Sequence, residues 1–350
     1  MYTNISNDNR SYLVLCGTAE YLAGNDWLWV ARFLRIVVAI TGVTLCTILL
    51  RIQGKYLAFH PNARILLFCH HIWAILQSLS QLIIHLFDLA RFSPVHKDPC
   101  QYLVTTFLSL FIRGPASLTY HGQYWSLATF TVERCVATVY YRTYEHWNRT
   151  ILAKILFLLQ VIFAVIGLIT VLIGLDLSQL KPMTSISSEK TSSRISNYTT
   201  SMAVVEAFAL GAFCGLLYFN KRKKAQLCES TLTEKYQIDE NIRAISLMVP
   251  LVVTHFCCFM PGLVFFPVYM KIDPNLDPRS YAIFVEIFNC APFYPMLFPV
   301  VLVWRHKMLR DNLRRAMGIN NKTSTSVSLR TDGRNEEQVQ HFAVLKELWQ

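Results

Sequence analysis

Residues Arg113 to Glu145 read RGPASLTYHGQYWSLATFTVERCVATVYYRTYE. From Gly114 to Val132 there are 19 residues without Lys, Arg, Asp or Glu, which as a helix are enough to cross the hydrocarbon of a bilayer. The charges gather where this run ends: Glu133 and Arg134 are adjacent, and an aromatic, basic segment follows with Tyr140, Tyr141, Arg142 and Tyr144. A charge held near hydrocarbon needs a partner. Two readings are open: the pair locks the mouth of a helix bundle, or Arg134 snorkels to headgroups and only marks the helix end.

The rest of the chain agrees with a membrane setting. Of 350 residues, 53% are hydrophobic and only 16% charged, too apolar a balance for a soluble protein with so many uncharged runs. The expected fold is all-α, an integral membrane bundle of seven transmembrane helices, at roughly 28–50, 65–87, 103–139, 152–175, 200–219, 244–269 and 281–304. Arg32 and Arg35 intrude on the first span and Glu206 on the fifth, so those charges must lie at an interface or face the bundle interior. Residues 1–27 form a polar N-terminal segment without a signal-peptide core, 305–318 an amphipathic helix on the membrane surface, and 319–350 a disordered tail rich in Ser and Thr.

The net charge of +11 does not point to nucleic acid, because the excess sits in loops and tail. With the N-terminus outside, 22 of the 33 Lys and Arg fall on the cytoplasmic side, ten outside, and Arg113 within the membrane. That distribution obeys the positive-inside rule. The run Lys221-Arg222-Lys223-Lys224 dominates the third inner loop; it is either a plain stop-transfer cluster or a surface for anionic lipid or an acidic partner. Sequons at Asn4, Asn9 and Asn197 fall on the proposed outer face, where glycosylation is expected, and those at Asn148 and Asn321 fall inside. Of the ten cysteines, only Cys16 and Cys100 lie in outer segments, so they are the one pair open to a disulfide on the oxidising side.

Depth along the third helix ranks the ligand candidates. At ~1.5 Å per residue, Arg113 stands ~30 Å above Arg134 and His121 ~20 Å above it, with Ser117, Tyr120, Gln123 and Tyr124 at neighbouring levels that suit a cavity open to the outside. Other helices offer His85, Asp88, Glu206, Glu286 and Asn289 at upper levels. Each acid either meets a ligand or closes the bundle on Arg113 or Arg35. No histidine pair stands at metal-site spacing with a carboxylate, and the seventh span has no Lys for a Schiff base, so no metal, cofactor or enzyme activity is expected. Prolines 115, 250, 261, 267, 292, 295 and 299 are candidate kinks.

Arg113-Gly114-Pro115, the run TVERCVATVYYRTYE and the segment FHPNARILLFCHHIW at 59–73 resemble the nematode serpentine chemoreceptors of the Sra superfamily, most closely class AB, over about residues 25–310. The resemblance implies a G-protein-coupled receptor of the plasma membrane in sensory cilia. A small molecule or short peptide would bind in the outer half, and a heterotrimeric G protein would engage Arg142 and Lys221 to Lys224 inside. Glu133 and Arg134 match the acid–arginine pair that restrains the third helix in rhodopsin-like receptors. This chain departs from that pattern at Cys135 in place of an aromatic, in Cys258-Phe259-Met260-Pro261 with Phe for Trp, in lacking Asn-Pro-x-x-Tyr, and in having no cysteine in the long outer loop. A ligand-gated channel or small-molecule transporter is the alternative, disfavoured by the absence of inverted repeats. Receptor oligomerisation is left open.

Overall fold

The computed structural model describes residues 2–56, 60–144, 150–226, 232–272 and 277–316. The tail from 319, and the sequons at Asn148 and Asn321, lie outside the described residues. Residues Met1–Arg310 form one compact unit, and of the second, Asp311–Gln350, only 311–316 are described.

The chain runs α1 (Tyr2–Gly24), α2 (Asp26–Tyr56), α3 (Pro61–Phe92), β1 (Val104–Thr105), α4 (Thr106–Val139), α5 (Ile151–Leu172), β2 (Leu180–Lys181), α6 (Glu189–Gln226), α7 (Leu232–Ile272), α8 (Pro278–Phe288), α9 (Tyr294–Arg305) and α10 (Lys307–Ala316). The fold is an all-helical membrane bundle in which α2 to α7 and the α8–α9 pair supply the seven crossings. The only sheet among the described residues is the antiparallel β1–β2 pair, Val104 with Lys181 and Thr105 with Leu180.

Six of the seven crossings are long and apolar enough to span a membrane on composition alone: 26–52, 61–92, 151–172, 190–226, 234–272 and 278–305. The seventh, α4, falls short of that apolarity although it carries the 19-residue uncharged run. Its Thr119, His121, Gln123, Ser126, Thr129 and Thr131 are all buried. Polar uncharged side chains lower its hydropathy, and packing against other helices keeps them from lipid. Close approach makes this workable: a Cβ at Gly122 would fall 2.5 Å from the Trp73 ring on α3. Exposed apolar side chains lie elsewhere, at Trp27, Val30 and Phe33 of α2 and at Leu158 and Ile166 of α5, where they suit a lipid-facing surface.

Helix starts follow local chemistry. Thr105 caps α4 by accepting from the Leu108 amide at 3.2 Å, and Asp277 caps α8 by accepting from the Ser280 amide at 3.1 Å with Pro278 in the first turn. The expected continuous span at 281–304 is instead two helices joined through a 3₁₀ turn at Ala291–Phe293. Pro292 and Pro295 lack the amide hydrogens that would carry the helix through. Pro295 leaves Ala291 O, and Pro299 leaves Pro295 O, without its donor four residues on, and side chains supply the lack: Gln77 Nε2 donates to Ala291 O at 3.2 Å and Cys46 Sγ to Pro295 O at 3.1 Å.

Helices α2, α3, α6 and α7 outrun their expected spans, most of all α6, which begins at Glu189 rather than near 200, whereas α4 starts at Thr106 rather than 103 and α5 stops at Leu172 rather than 175. The polar N-terminus is itself helical. Cys16 of α1 is bonded to Cys100, and Ala19, Leu22 and Leu28 pack with Phe92, Tyr102 and Ala282 into a small apolar cluster that seats α1 on the bundle. A larger core runs through the bundle with Leu66, Phe130, Phe213, Phe259, Tyr294 and Phe298 at its centre. Cys214 and Cys257, in apolar spans that suggest packing roles, are exposed on the bundle surface.

Candidate functional site

A cavity of about 260 Å³ opens into the end of the bundle that carries the disulfide. Its walls come from α3 (Gln81, Ile84), α4 (Arg113, Ser117, Tyr120, His121, Tyr124), α6 (Tyr198, Met202), α7 (Phe259, Leu263, Phe266) and α8 (Tyr281, Phe284, Phe288), with Asn289 beyond it and Met183 to Ser187 of the loop before α6. The pitch of α4 explains its share: positions 113, 117, 120, 121 and 124 recur every three or four residues and so share one face.

Polar groups fix the walls to one another. Gln81 Nε2 donates to Tyr120 OH at 2.8 Å, and Asn289 Nδ2 reaches the same hydroxyl at 3.4 Å. His121 meets Tyr198 OH at 3.4 Å and Ser117 Oγ at 3.5 Å. Arg113 Nε donates to Thr184 Oγ1 at 2.9 Å, and Thr184 in turn donates to Asp88 at 3.0 Å. Ser187 Oγ donates to Tyr281 OH at 3.1 Å. The loop is held from its own side as well, since Lys181 Nζ donates to Ser185 O at 3.0 Å and Ser187 O at 2.7 Å. With two carbonyls and no ion-paired carboxylate among the described residues around it, burial lowers the Lys181 ammonium to about 8.

Five of the sequence candidates therefore line the cavity: Arg113, Ser117, Tyr120, His121 and Asn289. Four do not. Asp88 holds Arg91 at 3.2 Å and Arg113 at 3.7 Å behind the wall, and Glu286 faces Arg35 at 3.4 Å. His85 is buried with its Nδ1 unpartnered. Glu206 takes neither Arg113 nor Arg35 as its partner, because α6 turns it toward α7, where His255 Nδ1 lies 2.5 Å from its Oε1. Sequence reasoning set Tyr124 at cavity level and noted Phe259 for its motif, but passed over the loop residues Thr184, Ser185 and Ser187 and the aromatic residues Tyr198 and Tyr281, which carry no charge or spacing signal.

Below the cavity a polar thread continues down the bundle. Phe259 stacks on His255 with ring centres 3.9 Å apart, and His255 abuts Tyr294 at 4.7 Å. His70 bridges Tyr294 OH and Ser126 Oγ, both at 2.6 Å. The thread links α7, α9, α3 and α4.

At the opposite end Glu133 and Arg134 pair side by side, the guanidinium holding both carboxylate oxygens, its Nε at 2.5 Å. Both side chains are buried. Tyr144 OH donates to Glu133 at 2.5 Å, and Arg134 Nη1 donates to Asn241 Oδ1 of α7 at 3.2 Å. Asn241 and Asn220 both donate to Thr138 Oγ1, at 2.7 and 3.0 Å, which brings α6 into the same knot. Burial and the neighbouring Glu133 carboxylate raise the Tyr144 phenol well above its ordinary value. Around this end Arg142 pairs with Glu234 at 2.7 Å, Lys224 with Asp239 at 2.7 Å, and the Lys223 ammonium rests 3.5 Å over the Tyr141 ring. Lys221 and Arg222 are exposed. Asn197 lies on α6, and Asn4 and Asn9 lie on α1.

A helical membrane bundle with an aromatic cavity at one end and a buried acid–arginine pair at the other has the layout of a seven-helix membrane receptor. The chain belongs to the serpentine type 7TM GPCR receptor class ab chemoreceptor family, whose pattern matches residues 14–328. It is similar to serpentine receptor class alpha/beta-14 of Caenorhabditis elegans, at 25% identity over 316 residues covering 86% of this chain and 80% of that protein. Similarity extends to serpentine receptor class alpha-10 of the same organism at 21% over 345 residues (95% and 97% covered) and of Caenorhabditis briggsae at 20% over 351 residues (97% and 99%). This is a family of receptors and not of enzymes, and a multi-pass membrane protein fits it.

Proposed function

We propose that this receptor binds a chemical cue in the cavity at its disulfide end and activates a heterotrimeric G protein at its Arg134 end. On this reading the N-terminus, Cys16, Cys100 and the glycan sites Asn4, Asn9 and Asn197 face the outside of the plasma membrane, in sensory cilia. The single observation that carries it is the polar thread from Phe259 through His255, Tyr294 and His70 to α4, which links the cavity floor to the helix that holds Arg134. A cue that binds better when α6 and α7 swing apart from α4 shifts the population toward that state, in which the Arg134–Asn241 contact is broken. Arg142 and Lys221 to Lys224 then meet the G protein, and lipid headgroups border them. The cavity volume suits a small molecule rather than a peptide of several residues, lying below the ~300–1,000 Å³ of drug-sized sites.

The test is expression in reporter cells read by calcium or cyclic nucleotide against a panel of volatile and water-soluble compounds. An agonist response that Arg134→Ala abolishes or renders constitutive, at unchanged surface level, is the expected result. An unchanged dose-response in that variant, or a current that persists without G protein, would overturn the reading.

A further inference from the structure

We propose that the cavity selects an organic anion: a molecule with an apolar body and one carboxylate, the carboxylate bound by Arg113. This rests on the reading of the cavity as the ligand site and names the chemistry it takes.

Three observations converge on it. Among the described residues Arg113 is the single one of fixed charge in the lining, which includes no described Asp, Glu or Lys. Its guanidinium is only partly used, with Nε on Thr184, Nη2 at 3.7 Å from Asp88, and no hydrogen bond from Nη1. Its side chain keeps 22% exposure, toward the cavity it lines. A planar fork with a free edge in a low-dielectric site is the geometry that receives a carboxylate.

The surroundings add to that charge instead of cancelling it. Behind the wall stand Arg32, Arg35 and Arg91 with Asp88 and Glu286, so four arginines including Arg113 face two carboxylates. Three of those arginines hold a buried nitrogen, Nη1 in Arg32 and in Arg35 and Nε in Arg91, that has no hydrogen-bond partner among the described residues. A net excess of cations close to a cavity walled largely by apolar groups favours a guest of negative charge and repels an ammonium. Beneath Arg113 the lining is aromatic, with Tyr120, Tyr124, Phe259 and Phe288, and can bury an aliphatic or aromatic body.

The test uses purified full-length receptor and three probes of equal chain length, octanoate, octylamine and octan-1-ol, with thermal stabilisation as readout and the reporter-cell signal in parallel. Octanoate should raise the unfolding temperature at concentrations at least tenfold lower than either of the others, and Arg113→Gln should remove that preference. Equal or stronger stabilisation by octylamine or octan-1-ol, or none by any of the three, overturns the proposal. Should Arg113→Gln fail to fold, methyl octanoate against the native chain replaces it: the ester must lose the tenfold advantage, and an ester as potent as the acid overturns the proposal. Stabilisation by octanoate without any G-protein signal would sink the receptor reading alone. Signalling to amines or alcohols without an octanoate shift would sink this inference alone.

Discussion

His255 Nδ1 lies 2.5 Å from Glu206 Oε1, tying α7 to α6 where both side chains are sealed from solvent. Removing either partner leaves the other without its hydrogen bond in a site that water does not reach. Glu206→Ala and His255→Ala should each lower thermal stability, and their double-mutant cycle should return a coupling of ~1–2 kcal/mol, as for strong hydrogen bonds between membrane helices. Additive single effects would show that the pair contributes nothing as a pair.

Gly122 is set by the Trp73 ring, which a Cβ would overlap. Gly122→Ala should therefore cost ~1–3 kcal/mol through overpacking. Adding Trp73→Ala to it should recover surface expression that Gly122→Ala alone loses. Flow cytometry of a tagged receptor decides the matter, and equal loss in both variants would refute the steric account.

Cys16 and Cys100, 84 residues apart, are joined. Cys16→Ser and Cys100→Ser should each destabilise by ~2–4 kcal/mol, and combining them should add nothing further. Peptide mapping without reductant should recover the two cysteines in one linked fragment; finding them as separate free thiols would contradict the assignment.

Lys181 gives a pH dependence with a definite sign. Its ammonium titrates at about 8 in the folded chain, below the ~10.5 of a free lysine. Between those values the unfolded chain holds a proton that the folded chain has released, so stability rises with pH through that window. Below it both states are protonated and the burial cost stays in full. Two acceptor carbonyls match the two hydrogens of the neutral amine. Unfolding temperatures taken from pH 7 to 10 should climb in the native chain more steeply than in Lys181→Met, and parallel curves would remove Lys181 from the account.

Much of the architecture was written in the residues, and the reasons are physical. Apolar runs locate crossings because hydrocarbon tolerates nothing else, and the adjacent Glu133 and Arg134 required no folding to become neighbours. What escaped was orientation and everything nonlocal. Depth along a helix follows from residue number, so Arg113, Ser117, Tyr120 and His121 could be ranked by height. The facing of Glu206 toward His255, or of Glu286 toward Arg35, depends on how helices rotate against one another. The loop residues Thr184 to Ser187 reach the cavity only because β2 pairs with β1 and Lys181 gathers the turn. No periodicity announces such a fold. The break between α8 and α9 was signalled by Pro292 and Pro295, but the donors that make it tolerable, Gln77 and Cys46, sit more than 200 residues earlier.

The covalent tie at the cavity end secures α1 and leaves the loop carrying Met183 to Ser187 fastened by a two-residue strand and a handful of hydrogen bonds. A covering attached in that way is exchangeable. Its length and side chains can be rewritten without disturbing the helices beneath, so that the outline of the cavity can change while the bundle under it stays the same.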